Sequence, residues 1–476
     1  MIALPLSEIA RAVDGSLELG DSAATPDTRI DGPVETDNRD LVPGGVFVAR
    51  RGETTDGHRF AEAAVAAGAA LLVVERVLPL PVPQIVVADS TDALAALAAH
   101  VVRRVREQGR LRIVGVTGSN GKTTTKNLLK EICGRVGRTV ASRASYNNEV
   151  GGPLTMLELT LDTDFLVAEM GASHIGDIAR LVSLAHPDVG VVLKVGLAHA
   201  GEFGGIERTV IAKSEMVRDL TGDDVAVLNR DDPRVMGMAE VTAARVLTFG
   251  IAPGADITAR DVETSAAGTR FDLVLPDGQR RPVVFAVLGE HHVTNALAAA
   301  SAAHALGIGP DAIVAGLQAV TRAERWRMEV LATEPVTVVN DAYNASPDSM
   351  AAALKTLVQI APGRSIAVLG EMSELGDLAG EEHDRIGLLA VRLDVDQLLV
   401  VGKGARRIHL SAIAQGSWSG ESLYAATVEE AEALLAAMVE PGDTVLVKSS
   451  NSAGLRFLGD RLGERWAQGT PAGGAA

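Results

Sequence analysis

A chain of 476 residues is long enough for roughly two to four domains, and 47% hydrophobic residues can build a sizeable core. A formal net charge of −17 and only 3% aromatic residues disfavour nucleic acid and anionic membranes as main partners, which call for basic surfaces or stacking platforms. With no bilayer-length apolar run, no charged-then-apolar leader behind Met1 and a single cysteine, a soluble cytoplasmic protein without an intrachain disulfide is expected.

Residues 1–107 carry strand signals of their own and end in the arginine-rich helical segment VVRRVREQGR, which reads as a connector. Within them a Pro-Gly-Gly turn, the strand VFVA, a polar loop with Asp56, Gly57 and His58, an alanine-rich helix and the strand LLVV make a βαβ piece. By spacing alone, Asp37, Arg39 and His58 are loop residues with local hydrogen bonds.

The stretch GVTGSNGKTTTKN, Gly115 to Asn127, follows the apolar run LRIVGV and precedes Leu128, Leu129, Ile132 and Val136 at helical spacing. Strand, glycine turn and helix form a phosphate cradle. Gly118 and Gly121 allow close backbone approach, amides at the helix start point at the anion, and Lys122 adds a mobile positive charge. Thr123 in the first helical turn can offer its hydroxyl to Mg²⁺. Val116 stands five residues before Gly121, so the cradle is the shorter G-x-x-G-K-T form.

From 108 to 322, apolar strands alternate with helices, as in a doubly wound, mostly parallel sheet. FLVAEMGA ends a strand on Glu169, which is well placed to share a cation with Thr123, although a solvated strand-end carboxylate is also common. The loop LAHAGEFGG holds His199, and a lone loop histidine is usually structural. In IERTVIAKSEMVRDL, the residues three and four away from Lys213 are Thr209, Val210, Met216 and Val217, none of them acidic. Either this lysine snorkels to solvent, or it faces a ligand or is chemically modified. Short alternating segments near 255–287 suggest an antiparallel insertion. LGEHHVTNALAAASAAHALG then starts a helix with His291 and Asn295 one turn apart, where Asn295 could read a purine edge or serve the helix start.

Arginines in RAERWRMEV mark the start of a third domain, 323–466. TVVNDAYNASPDSM sets Asp341, Tyr343 and Asn344 at a strand end, and Ser346 and Pro347 open the next helix. The remaining strands and helices form a second Rossmann-like α/β unit, and residues 467–476 form an unpatterned flexible tail. The expected fold is thus α/β with three domains.

Taken together and in this order, these segments resemble the Mur ligase family, ATP-dependent enzymes that build the peptide of bacterial cell-wall precursors. GSNGKTTTK is similar to the family's P-loop, EMGA to the segment of its Mg²⁺ glutamate, HAGEFG to its histidine segment and AKSEM to the segment of its carbamylated lysine. GEHHVTNALAA resembles the adenine-side G-x-H-x-x-x-N motif, with Glu290 and His292 in place of the commoner arginine and asparagine. RMEV and NDAYNASPDSM resemble the C-terminal nucleotide and acceptor motifs, whereas KSSNSAGLR replaces the usual K-G-S-R-like segment. TDNRDLVPGGVFVA, DGHRF and YNNEVGGPLTML are most similar to the branch that joins D-alanyl-D-alanine to UDP-N-acetylmuramoyl-tripeptide. The D-N-P-R signature of the diamino-acid-adding branch is absent.

The resemblance implies amide ligation through an acyl phosphate, with ATP, Mg²⁺ and a CO₂-derived carbamate on Lys213. Gly118, Ser119, Asn120, Gly121, Lys122 and Thr124 would hold phosphates. Thr123 and Glu169 would hold one Mg²⁺, and His199 with Lys213 a second. Arg327 would reach the γ-phosphate, Asn295 the adenine and Asp341 the nucleotide's other side. Asp37, Asn38 and Arg39 would meet the UDP moiety, Asn147 and Asn148 the sugar–peptide junction, and Tyr343 and Asn344 the acceptor side. A monomer is expected. Two other readings are a different ligase of the superfamily, such as a diamino-acid-adding ligase or a folylpolyglutamate synthetase, and a P-loop ATPase switch.

Overall fold

The computed structural model describes residues 1–52, 55–143, 145–196, 205–320, 325–416 and 418–467. The predicted tail, apart from Ala467, and His199 lie outside these residues. The chain folds into three α/β units. In the first, strands Ser16–Glu18, Gln84–Val86, Leu71–Val74, Val46–Val48 and Val34–Glu35 lie side by side in that order. Only Ser16–Glu18 runs antiparallel to its neighbour. The helix Ser90–Arg106 starts where Asp89 accepts hydrogen bonds from the amides of Thr91 and Asp92, and it carries the arginine-rich connector.

The central sheet is fully parallel, in the order Arg245–Phe249, Val225–Asn229, Val189–Val192, Arg112–Thr117, Phe165–Glu169, Thr139–Ala141. These strands are near-continuous apolar runs because helices cover both faces. The strand order reverses beside Arg112–Thr117. Strands Thr139–Ala141 and Phe165–Glu169 follow it on one side, and the later ones on the other. A crevice therefore opens at its carboxyl end, where the glycine cradle begins. The helix after the cradle spans Lys122–Gly134 and stops before Val136, which is 51% exposed instead of joining the apolar face. Strands Thr258–Ser265, Gly268–Val274 and Arg280–Phe285 form the expected antiparallel insertion.

In the third unit Glu329–Ala332 pairs antiparallel with Thr337–Asn340, and Thr444–Lys448, Ser365–Leu369, Gln397–Val401 and Glu421–Ala425 continue the sheet in parallel. Its helix Pro347–Ile360 begins at Ser346 with a reciprocal capping box involving Ser349, as the Ser-Pro start predicts.

Packing groups these units unevenly. One apolar cluster runs from Leu6, Ile9 and Leu71 in the first unit through Val101 and Val105 to Ile113 and Leu166 beneath the central sheet. The other face of that sheet packs on the small-residue helix Glu290–Ala305 and the insertion. The two faces of the third unit's sheet have clusters of their own, one of which takes in Leu288.

Candidate active site

Gly118 and Gly121 have φ of 155° and 85°, a region in which side chains with a Cβ are strained. At Gly121 close approach adds a second constraint, because a Cβ would sit 2.3 Å from Asn295 Oδ1. The cradle is thereby pressed against the start of helix Glu290–Ala305, which explains why a motif 170 residues downstream shares one cleft with it. Lys122 Nζ donates to Gly118 O at 2.7 Å, curling over the loop. Burial lowers the proton affinity of this ammonium, with the nearby Glu169 carboxylate opposing the effect and Arg327 adding to it. Ser119 exchanges hydrogen bonds with the backbone of Gly196 at 2.9 and 3.2 Å.

Glu169 stands at the carboxyl end of its strand, 1% exposed. Its Oε1 accepts from Asn147 Nδ2 at 2.8 Å, while Oε2 is buried with no hydrogen-bond partner. Such an oxygen is costly unless something electropositive meets it. Asn120 Nδ2 is likewise buried and unpartnered. Both orphaned atoms belong to residues lining the same cleft, of about 290 Å³, so they fit a bound cation and polar ligand atoms.

The third unit closes this cleft. Arg327 lies with its guanidinium carbon 4.1 Å from the Tyr343 ring centroid and its Nη2 3.4 Å from Thr123 Oγ1. The Tyr343 hydroxyl is hydrogen-bonded to Ser145 at 2.9 Å, and Ser346 Oγ donates to Asn120 Oδ1 at 3.2 Å. Asp341 accepts from the Met328 amide at 3.0 Å and from Lys448 Nζ at 2.6 Å.

The structure brings Ser119, Asn120, Gly121, Lys122, Thr123, Thr124, Asn147, Glu169, Asn295, Arg327, Asp341, Tyr343 and Asn344 to one cleft. Others lie elsewhere. Lys213 sits on the helix Ile206–Arg218 and is 3% exposed, which rules out snorkelling. Burial, then the charge of Lys122, pushes its ammonium down to about 7, with Glu215 and Asp177 opposing. Counting three and four places along the helix left out these two carboxylates. Glu215 also binds the amides of Gly176 and Ala179 at 2.7 and 3.0 Å, fixing the loop and helix beyond Glu169. Asn148 Oδ1 accepts from Gly151 N at 2.9 Å and serves the start of helix Gly151–Met156.

Asp37, Asn38 and Arg39 lie apart on the first unit, where Arg39 Nε donates to Asp37 Oδ1 at 2.9 Å and holds that carboxyl down to about 2. His58 also has the local role that spacing suggests. Its Nδ1 lies 2.6 Å from Asp56 Oδ1, and its Nε2 accepts from Glu75 N at 2.8 Å. Among the described residues no group of three His, Cys, Asp or Glu side chains converges as a metal cluster. Of the predicted metal set, only Glu169 is of those types and among the described residues.

Several cleft residues escaped sequence reasoning. Lys448, 2% exposed, also donates to the carbonyl of Asn344 at 3.0 Å; its signal was a charged residue closing the apolar strand Thr444–Lys448, as Glu169 closes its own. The histidines of the helix start were legible as positions but not as a pair: the His291 and His292 ring centroids lie 4.2 Å apart, tilted by 43°, and His292 Nδ1 lies 3.4 Å from Asn295 Nδ2. Burial lowers both imidazoles, His291 to about 4, so the pair is neutral near pH 7. Ser145 carried no signal, since a serine in a turn is ordinary, and Ser346 was legible as a helix start but not as a partner of Asn120.

Three family models match the chain in order: "Mur ligase family, catalytic domain" over 33–103, "Mur ligase middle domain" over 116–303, and "Mur ligase, glutamate ligase domain" over 326–451. The UDP-N-acetylmuramoyl-tripeptide–D-alanyl-D-alanine ligase of Mycobacterium tuberculosis is 43% identical over 502 residues, covering 97% of this chain and 98% of its own. Crystal structure I of MurF from Acinetobacter baumannii superposes with a TM-score of 0.88 at 31% identity, covering 97% of this chain and 99% of that one. MurF from Thermotoga maritima in complex with ADP gives 0.81 at 28% identity, over 93% and 99% of the two chains. With the cradle, the acidic strand end and the arginine from the third unit in one cleft, and with relatives matched along nearly the whole length, the chain belongs to the Mur ligase family.

Proposed function

We propose that this protein uses ATP to join D-alanyl-D-alanine to UDP-N-acetylmuramoyl-tripeptide, releasing ADP and phosphate in the synthesis of peptidoglycan precursors. The observation that carries the reading is the meeting of Lys122, Glu169 and Arg327 in one cleft between the central and third units, in a chain whose relatives of that name match it end to end. A carboxylate is a poor electrophile, so the tripeptide's terminal carboxylate first attacks the γ-phosphoryl group of ATP to give an acyl phosphate. The dipeptide amine then adds to the acyl carbon, and phosphate leaves through a tetrahedral intermediate. Bringing a carboxylate to a triphosphate opposes like charges, so the protein's main tasks are charge compensation and alignment.

Lys122 and the amides from Gly118 to Thr124 hold the phosphates, and Arg327 adds a guanidinium from the other wall. The unpartnered Glu169 oxygen, with Thr123, suits Mg²⁺, which when bound neutralises phosphate charge and polarises the transferred group. A Lys213 ammonium lowered to about 7 leaves a neutral amine fraction that can add CO₂, and the carbamate so formed would join His199 at a second Mg²⁺. Asn295 faces the adenine and Asp341 the nucleotide's other side. Tyr343 and Asn344 border the acceptor, Asn147 and Asn148 the sugar–peptide junction, and Asp37, Asn38 and Arg39 the UDP moiety.

The units are taken as 1–107, 108–322 and 323–466, working as a monomer in the cytoplasm. No helix among the described residues is long and apolar enough to cross a membrane. The test is ADP release with each substrate omitted in turn, together with product mass. The reading requires both the UDP-muramoyl tripeptide and D-alanyl-D-alanine; brisk ATP hydrolysis with neither present would overturn it.

A further inference from the structure

We infer that Trp326 is a positioning residue that aims Arg327 across the cleft. The inference rests on the role proposed above for Arg327. The residues on both sides of the arginine are in the left-handed region, Trp326 at φ 63° and Met328 at φ 50°. Side chains of this size are strained there and persist only where surrounding contacts over-determine the backbone. Glycine would take the same φ freely. The contacts that hold a tryptophan in such a conformation are therefore informative.

They form a clamp on the C-terminal helix Leu455–Ala467. The indole Nε1 donates to the Asp460 carboxylate at 3.0 Å, and Arg325 Nη2 donates to the same group at 3.0 Å. Asn340, at the end of its strand, donates to Asp460 Oδ1 at 3.1 Å and to the carbonyl of Arg456 at 2.8 Å, tying that helix to the sheet. The guanidinium carbons of Arg325 and Arg456 lie 4.6 and 5.3 Å from the indole centroid, and Phe457 meets it edge-on at 6.1 Å.

The backbone is fixed as well. Trp326 N donates to Glu329 Oε2 at 2.9 Å, Trp326 O accepts from Tyr343 N at 3.0 Å, and Met328 N donates to Asp341 at 3.0 Å. Two carboxylates thus bracket the segment, Asp460 through the Trp326 side chain and Asp341 through the Met328 amide. Arg327 stands between them and extends over Tyr343 towards Thr123. A misplacement of about 1 Å in such a group can cost on the order of 10²-fold in rate.

The experiment compares Trp326→Gly, Arg327→Ala and the double variant by kcat, KM for ATP and thermal midpoint. Glycine keeps the left-handed backbone accessible and removes the clamp. Trp326→Gly should lower kcat about 10- to 100-fold with KM for ATP changed less than about threefold, and should cost less than about twofold when added to Arg327→Ala. Losses that multiply in the double variant, or a Trp326→Gly kcat within about twofold of the parent, overturn the inference while leaving the role of Arg327 intact. If Arg327→Ala alone keeps near-parental turnover, the reading of the arginine fails first and this inference with it. Should the glycine variant lose its cooperative thermal transition, Trp326→Phe decides, since it keeps the ring but not the N–H donor. A drop of about threefold or more that vanishes in the Arg327→Ala background supports the inference, and a smaller or persistent one overturns it.

Discussion

The Lys194 ammonium lies 3.2 Å from the Asp348 carboxylate, joining the loop after a central strand to the first turn of the third unit's helix Pro347–Ile360. Both side chains are substantially exposed, at 46% and 32%. An ion pair of this kind contributes about 0.2–1 kcal/mol, screened by salt. Placed across a closing cleft, even that amount shifts the balance of open and closed forms. Lys194→Asp should raise KM for ATP about two- to fivefold at low salt, and the exchanged pair Lys194→Asp with Asp348→Lys should recover part of the loss. Kinetics at low and high salt check this; equal effects at both would refute the electrostatic account.

Lys122→Ala removes the charge folded back over Gly118. Turnover should fall by about 10² to 10³, as for loss of a preorganised donor to a transferring group. Near-normal ligation by this variant would remove Lys122 from the phosphate cradle.

Glu169→Gln is nearly isosteric and can keep the contact with Asn147 through its carbonyl oxygen. Thermal stability should change by less than about 1 kcal/mol, while turnover falls at least about 10²-fold because the charge offered to the cation is lost. Steady-state rates across a Mg²⁺ series test the point, and a variant with a parental Mg²⁺ response would show that the unpartnered oxygen meets something else.

His291 gives a pH signature. Its imidazole is pushed down to about 4 by burial, aided by Lys448 and Lys194 and opposed by Asp341, against a usual value of 6.5. Between pH 4 and 6.5 the unfolded chain then binds this proton more tightly than the folded one, so folding stability falls as pH drops through that window. The contribution is on the order of 1–3 kcal/mol by pH 4. His291→Gln should flatten this part of the profile, as read from urea midpoints at pH 6.5 and 4.5. An unchanged slope would mean that the imidazole is not held neutral.

The single thiol makes a plain control. Cys133 is fully buried, and burial pushes its thiol up to about 12. A maleimide should leave the native protein unlabelled and modify one site after denaturation; rapid native labelling would contradict the packing of helix Lys122–Gly134.

What could be read in the sequence follows from how each feature is encoded. The cradle, Glu169 and the Ser346–Pro347 helix start were legible because each is local: a strand period, a turn and a helix period in immediate succession. The convergence of Asn295 and Arg327 on that cradle entered only through the order of the motifs, since no local rule brings residues 170 and 200 positions apart together. Lys213 shows the limit of helical counting. The carboxylates nearest it in effect, Glu215 and Asp177, are two residues on and on another helix, and both were invisible to a three-and-four rule. Lys448 was missed because a lysine closing a strand ordinarily points to water, and only the fold shows that its three donors are spent on Asp341 and Asn344.

The apolar cluster shared by the first unit and the underside of the central sheet has a mechanical consequence. Side chains of both parts interdigitate there, so sliding one against the other would open voids, whereas the third unit meets the P-loop wall through the polar contacts of Arg327, Tyr343 and Ser346. Water can replace polar contacts of that kind far more readily than it can fill a dry seam. A chain that divides into three in sequence is therefore joined by one dry seam and one wet one. The dry seam fixes the cradle to the first unit, and the wet seam is the one at which the arginine's side of the cleft can be parted from it at least cost.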